Sequence, residues 1–186
     1  RKLKMGQMEN GLSELENGFT LMSDIPLNEI HFDMFILKAS LLISLSKFDQ
    51  VVELINGYRV QETLDGFLPQ KLRLLNLLGL AYYYKGNYDE ALDILKSNVL
   101  KAKQVNSIHI LLQAFNTLGM VCYQECSFRE SMNAYNDALE ILSTKPKPLD
   151  KAMLLHNQAV IYHRLGTFKK AHNLYNQALD LYDEIG

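Results

Sequence analysis

A period of forty residues runs through this chain and leaves little choice of architecture. Four small residues, Ala39, Gly79, Gly119 and Ala159, stand forty apart. Nine positions after each comes an aromatic: Phe48, Tyr88, Phe128 and Phe168. Four positions before each comes a large apolar residue: Phe35, Leu75, Phe115 and Leu155. Twelve positions after the small residue lies a slim one (Val51, Ala91, Ser131, Ala171), and sixteen after it lie Ile55, Leu95, Tyr135 and Tyr175. Columns held in register over four copies mean that one local unit is stacked on itself. Residues 1–22 carry the second half of the same pattern, since Gly6, Met8, Gly11, Leu15 and Gly18 precede Ser46, Phe48, Val51, Ile55 and Tyr58 by one period. With its start at Arg1 partway through a unit, the chain reads as an excerpt of a longer protein.

Within a unit the apolar spacing is helical in two blocks. Leu72, Leu75, Leu78, Gly79 and Tyr82 recur at steps of three and four, which places them on one helix face. After Lys85-Gly86-Asn87 the stripe resumes with Tyr88, Ala91, Leu92 and Leu95. Gly86 and Gly166 stand where the first helix must stop, because glycine takes the left-handed cap conformation without a Cβ clash. The small columns allow two helix backbones to approach, and the aromatic after the turn fills the wedge between them. Each unit is therefore predicted to be a helical hairpin. One hairpin cannot bury both of its faces, so neighbours must stack.

Turn-rich joints separate the hairpins: Ser23-Asp24-Ile25-Pro26, Leu68-Pro69, Val105-Asn106-Ser107 and Lys145-Pro146-Lys147-Pro148. Proline is tolerated in a first helical turn because its missing N–H has no partner there in any case. No joint is long enough to be an interdomain linker. The expected organisation is all-α: a second helix of a preceding repeat over 1–22, then four units near 26–66, 67–105, 106–145 and 146–186 in one continuous solenoid.

Leu75, Leu78, Gly79, Tyr82, Gly86, Tyr88, Ala91 and Leu95 resemble the tetratricopeptide repeat signature, and so do Ala159, Tyr162, Gly166, Phe168, Ala171, Tyr175 and Ala178. The third copy departs from it at Cys122, Cys126 and Ser131, and the first at Lys38, Leu42, Ser46 and Val51. The forty-residue period exceeds the family's usual thirty-four and is similar to the extended repeats of signalling and regulatory proteins; kinesin light chains also use long repeats. The resemblance implies an α-α superhelix that binds a protein or peptide on its concave side, without catalysis, as a module of a larger regulatory protein; a passive assembly scaffold, or the sensor region of an enzyme whose catalytic domain lies outside this segment, are the alternatives. RNA-reading pentatricopeptide repeats fit less well, since their surfaces are basic and this chain has a net charge of −2.

Charge and composition agree with a non-catalytic module. Acidic and basic residues are interspersed, which gives no field for a phosphate backbone, so nucleic acid is not expected as a partner. No apolar run reaches the roughly 20 residues of a membrane span, and no leader pattern opens the chain, so a cytoplasmic location is expected. No phosphate loop, dinucleotide fingerprint, zincin motif or nucleophile elbow is present, and no catalytic residue, metal ligand or cofactor is assigned. Cys122 and Cys126 lie four apart and are read as buried packing residues rather than a redox or metal pair. His156 and His163 share a helix face, but seven residues span about 10 Å, too far for one zinc ion.

The resemblance also points to where a partner would sit. In such repeats the first helix of each hairpin lines the groove, and its non-core positions give Arg73, Asn76, Tyr83 and Tyr84 in the second unit. The third unit gives Gln113, Asn116 and Tyr123, and the fourth His156, His163 and Arg164. An asparagine amide donates and accepts, so Asn76 and Asn116 could hold an extended backbone. Tyrosines add rigid area with a polar tip. The same tyrosines could instead pack within the scaffold, with the asparagines merely solvated. The carboxylate clamp that holds chaperone tails is disfavoured, because the corresponding places, Ile36, Ser40, Leu77, Gln113 and Thr117 or Asn76, Leu80, Thr117, Met153 and Asn157, lack its cations. At the far end Leu174, Tyr175, Ala178, Leu181, Tyr182 and Ile185 leave an apolar face that calls for further repeats or a second copy of the chain.

Overall fold

The computed structural model describes residues 2–26, 28–57, 66–105 and 107–185. Arg1, Tyr58 and Asn106, used above, lie outside them. Among the described residues there are nine α-helices and no strand: α1 (Lys2–Leu21), α2 (Glu29–Ser44), α3 (Phe48–Gly57), α4 (Leu68–Lys85), α5 (Tyr88–Val105), α6 (Ile108–Gln124), α7 (Phe128–Thr144), α8 (Pro148–Arg164) and α9 (Phe168–Ile185). They fall into two compact units, Arg1–Ile94 and Leu95–Gly186, and the division lies inside α5.

In the first unit α2 packs on α1, α3 and α4. Its core joins Phe32, Phe35, Ala39 and Leu42 of α2 to Val51 and Ile55 of α3 and to Leu74, Leu78 and Ala81 of α4. In the second unit α6 packs on α7, and α8 on α7 and α9. Leu112, Ala114 and Phe115 of α6 meet Ala134, Tyr135, Ala138 and Leu142 of α7, with Leu154 and Ile161 of α8. Fully burying the valine, leucine, isoleucine and phenylalanine side chains among them contributes roughly 1.5–3 kcal/mol each. The aligned small and slim columns of the sequence face inward: Ala39, Val51, Ala91, Ala159 and Ala171 are all buried to 1% exposure or less.

The hairpin turns repeat one geometry four times. Gly86 (φ 81°) and Gly166 (φ 71°) adopt the left-handed conformation, and so do Ser46 (φ 59°) and Cys126 (φ 57°) at the same column. In each turn the next residue's N–H reaches back to a helix carbonyl: Lys47 to Leu42 at 2.8 Å, Asn87 to Tyr82 at 3.0 Å, Ser127 to Cys122 at 2.9 Å and Thr167 to Tyr162 at 2.8 Å. This is the Schellman arrangement, which satisfies carbonyls that the helix end would otherwise orphan. Cys126 therefore differs from its expected role. It is exposed and lies beyond the end of α6, whereas Cys122 is buried within it. A β-carbon in the left-handed region costs roughly 1–2 kcal/mol, so Ser46→Gly and Cys126→Gly should each raise stability by about 0.5–1 kcal/mol after the entropy of the more flexible unfolded chain is subtracted. Urea melts would show it as a higher midpoint at unchanged slope; a lower midpoint would mean that the serine or cysteine side chain stabilises its turn.

The start of α2 was not legible from the turn residues before it. Asn28 is its N-cap, its Oδ1 accepting from the backbone N–H of Ile30 at 3.1 Å and of His31 at 3.3 Å. His31 Nδ1 accepts in return from the Asn28 N–H at 3.3 Å, which completes a capping box with histidine in the usual place of glutamate.

Candidate functional site

Lateral hydrogen bonds between first helices set their polar columns side by side. In the first unit Gln70 Nε2 of α4 donates to Glu29 Oε1 of α2 at 2.8 Å, and Arg73 Nη1 lies 3.3 Å from Asp33 Oδ1. In the second, Asn157 Nδ2 of α8 donates to Asn116 Oδ1 of α6 at 2.9 Å. These partners stand forty or forty-one residues apart, so the repeat period is also the register of lateral pairing.

Within the first unit the four expected groove residues have different fates. Arg73 is half-buried and paired with Asp33. Asn76 departs from expectation: it is only 5% exposed, and its Oδ1 is buried with no hydrogen-bond partner among the described residues. A ligand cannot reach that oxygen in this conformation. Tyr83 is half-buried, with its ring centroid 5.1 Å from Tyr84 and 6.1 Å from Tyr88. Tyr84 is exposed and stacks on Phe48 at 4.9 Å. Beside it Lys85 Nζ lies 2.6 Å from Asp49 Oδ1, and this hydrogen bond holds the lysine above its ordinary pKa.

The remaining six lie in the second unit, on α6 and α8. Gln113 is exposed and Asn116 half-buried. Besides the bond it accepts from Asn157, Asn116 has its Nδ2 only 3.7 Å from the Met120 sulfur, a weak acceptor. Tyr123 is half-buried, with its ring 5.7 Å from that of Phe128. His156, His163 and Arg164 are exposed; His156 meets Tyr175 edge-on at 5.3 Å, and His163 meets Phe168 edge-on at 5.3 Å. Tyr83, Tyr123 and His163 thus each lie against the turn aromatic of their own hairpin, an intra-unit role that the column pattern did not distinguish from groove lining. Sequence reasoning passed over Asn157 as a site residue. Its signal was a column reading Leu37, Leu77, Thr117 and Asn157, which turns polar towards the far end.

Burial pushes the Cys122 thiol above its ordinary pKa, so it is a poor nucleophile. Among the described residues no group of three or more histidine, cysteine or acidic side chains is placed to hold a metal ion, and no helix is long and apolar enough to cross a membrane. At the far end Tyr182 is 39% exposed, whereas Leu142, forty residues earlier, is 4% exposed in the core that includes Leu154 and Ile161 of α8.

Stacked helical hairpins of fixed period, with turn glycines and paired polar columns on the first helices, define a helical repeat protein. A tetratricopeptide repeat model matches residues 70–144 and again 110–184, and the chain belongs to the tetratricopeptide repeat family. It is 25% identical over 184 residues to the protein kinesin light chain-related 2 of Arabidopsis thaliana, which covers 90% of this chain and 26% of that protein, so the chain spans about a quarter of that relative's length. Among solved structures it is similar in fold to BtubC (BKLC) of P. vanneervenii, at a TM-score of 0.80 and 14% identity, over 99% of this chain and 76% of that one. It is also similar to PlcR of Bacillus thuringiensis, solved in complex with the peptide PapR7 and DNA, at a TM-score of 0.82 and 13% identity, over 98% of this chain and 66% of that one.

Proposed function

We propose that this chain is a non-catalytic protein-interaction module of a larger regulatory protein, and that it holds an extended peptide or protein segment against the first helices of its hairpins. The observation that carries the reading is the Asn116–Asn157 amide pair. It joins α6, which also carries Tyr123, to α8, which also carries His156 and His163, and leaves the half-exposed Asn116 amide N–H with only a thioether for company. Such a donor has hydrogen-bonding capacity to give to a ligand carbonyl, and the rings further along the same two helices supply apolar area with little entropy to lose. The likeness to a repeat protein solved with a bound peptide supports the same reading. Control of an attached output domain, and a cytoplasmic setting, belong to this proposal. We place further hairpins of the longer protein, or a second copy of the chain, over the exposed apolar face of α9.

Peptides selected from a random displayed library on this chain provide the test. Asn116→Ala should weaken the selected peptide by about three- to tenfold, the worth of one or two hydrogen bonds, while its melting temperature stays within about 2 °C. Unchanged affinity in the folded variant would remove α6 from the binding surface. Asn76→Ala, by contrast, should leave affinity unaltered, because its amide is buried.

A further inference from the structure

A second surface in the Leu95–Gly186 unit is built for a ligand of different chemistry. Between the C-terminal halves of α5 and α7 lies a cleft of ≈500 Å3. Its apolar lining is Ile108, Leu111 and Phe115 of α6 with Ile141 of α7. Asp137 and Glu140, one turn apart on α7 and both exposed, form one rim. Lys103 of α5 forms the other, its ammonium 5.5 Å from the centroid of the Phe115 ring. None of these residues belongs to the Asn116–Asn157 surface, so the two sites can be tested separately.

The chemistry selects the occupant. A volume in the range of small-ligand pockets takes a few large side chains, not a folded domain. Two carboxylates beside an apolar floor repel phosphate groups and anionic lipid, and favour a cation attached to an apolar body. Lys103 already shows that a cation is accommodated over Phe115, an attraction to the negative face of the ring. Arginine meets these demands best, because its planar fork matches a carboxylate and its stem packs on hydrocarbon. We propose that this cleft docks a basic amphipathic helix of a partner protein, with one large apolar side chain in the Ile108–Leu111–Ile141 floor and an arginine one helical turn away against Asp137 and Glu140. Lys103 is the internal competitor, since its charge opposes the incoming one.

The experiment uses the full 186-residue chain and a fluorescein-labelled synthetic helix that carries leucines on one face and arginines one turn from them. A matched peptide with glutamate in place of arginine is the control. Anisotropy should show saturable binding of the arginine peptide only. Asp137→Lys combined with Glu140→Lys should weaken it by about tenfold, as removal of two exposed attractive charges and introduction of repulsive ones requires. Lys103→Met should tighten it by about threefold, the effect of removing one screened repulsion. Methyl resonances of Ile108, Leu111 and Ile141 should shift on titration. Equal binding of the glutamate peptide, an affinity within twofold after the double charge reversal, or methyl shifts confined to other parts of the unit would each overturn the proposal. All three substituted positions are exposed, and unchanged circular dichroism confirms that the variants fold.

Discussion

Replacing Gly119 by alanine should destabilise the Leu95–Gly186 unit by about 1–2 kcal/mol and lower its melting temperature by about 5–10 °C, although alanine is the better helix former. Two effects oppose each other. Alanine for glycine within an exposed helix gains roughly 0.5–1 kcal/mol. At position 119, however, a β-carbon would fall within 2.9 Å of three ring atoms of Tyr135, a separation that real β-carbons do not occupy. Tyr135 is 2% exposed and has no room to swing aside, so overpacking at about 1–3 kcal/mol outweighs the helical gain. The hydroxyl of Ser131 donates to the Gly119 carbonyl at 2.6 Å, which holds α7 against that backbone and resists relief by separating the helices. Adding Tyr135→Leu, the residue type of Leu95 in the preceding copy, should recover most of the loss. A Gly119→Ala variant as stable as the parent would show that the ring yields, and the close approach would then have no energetic importance.

Phe32→Ala should cost the Arg1–Ile94 unit about 3–5 kcal/mol, the usual range for deleting a buried ring. Phe32 is 0% exposed and its ring sits 4.9 Å from that of Phe67 and 6.4 Å from that of Phe35, so the residual cavity is walled by other aromatics that cannot collapse into it. Ile30, two residues earlier on the same helix, is 60% exposed, and Ile30→Ala should change stability by no more than about 0.5 kcal/mol. Hydrogen exchange of α2 amides resolves the two. Equal protection losses in both variants would contradict the assignment of Phe32 to the core.

The hairpins were legible because their determinants are local. The 3–4 spacing of Leu72, Leu75, Leu78 and Tyr82, and the cap position at Gly86, act within a few residues of one another. The same column at Ser46 and Cys126 is harder to read, because neither residue type announces a positive φ; four residues after Cys122, Cys126 has the spacing of a helical packing residue, whereas its φ of 57° puts it in the turn. The candidate site was legible only in part. Its helices and columns followed from the period, but Asn76 and Asn116, identical in sequence and one period apart, differ in burial: one is 5% exposed and the other half-exposed.

The amino-acid sequence by itself determined the element type, the forty-residue register and the family, since helix propensity, capping and hydrophobic period are properties of contiguous residues. Tertiary structure alone decided which polar groups meet: Asn157 with Asn116, Gln158 with Asn136, Arg73 with Asp33. It also decided why glycine is required at position 119, where the demand comes from a ring sixteen residues away on the next helix. The physical reason is that a side chain's burial and hydrogen-bond partners are set by what the neighbouring helix places opposite it, and a one-dimensional repeat specifies the position of that neighbour without specifying the fit.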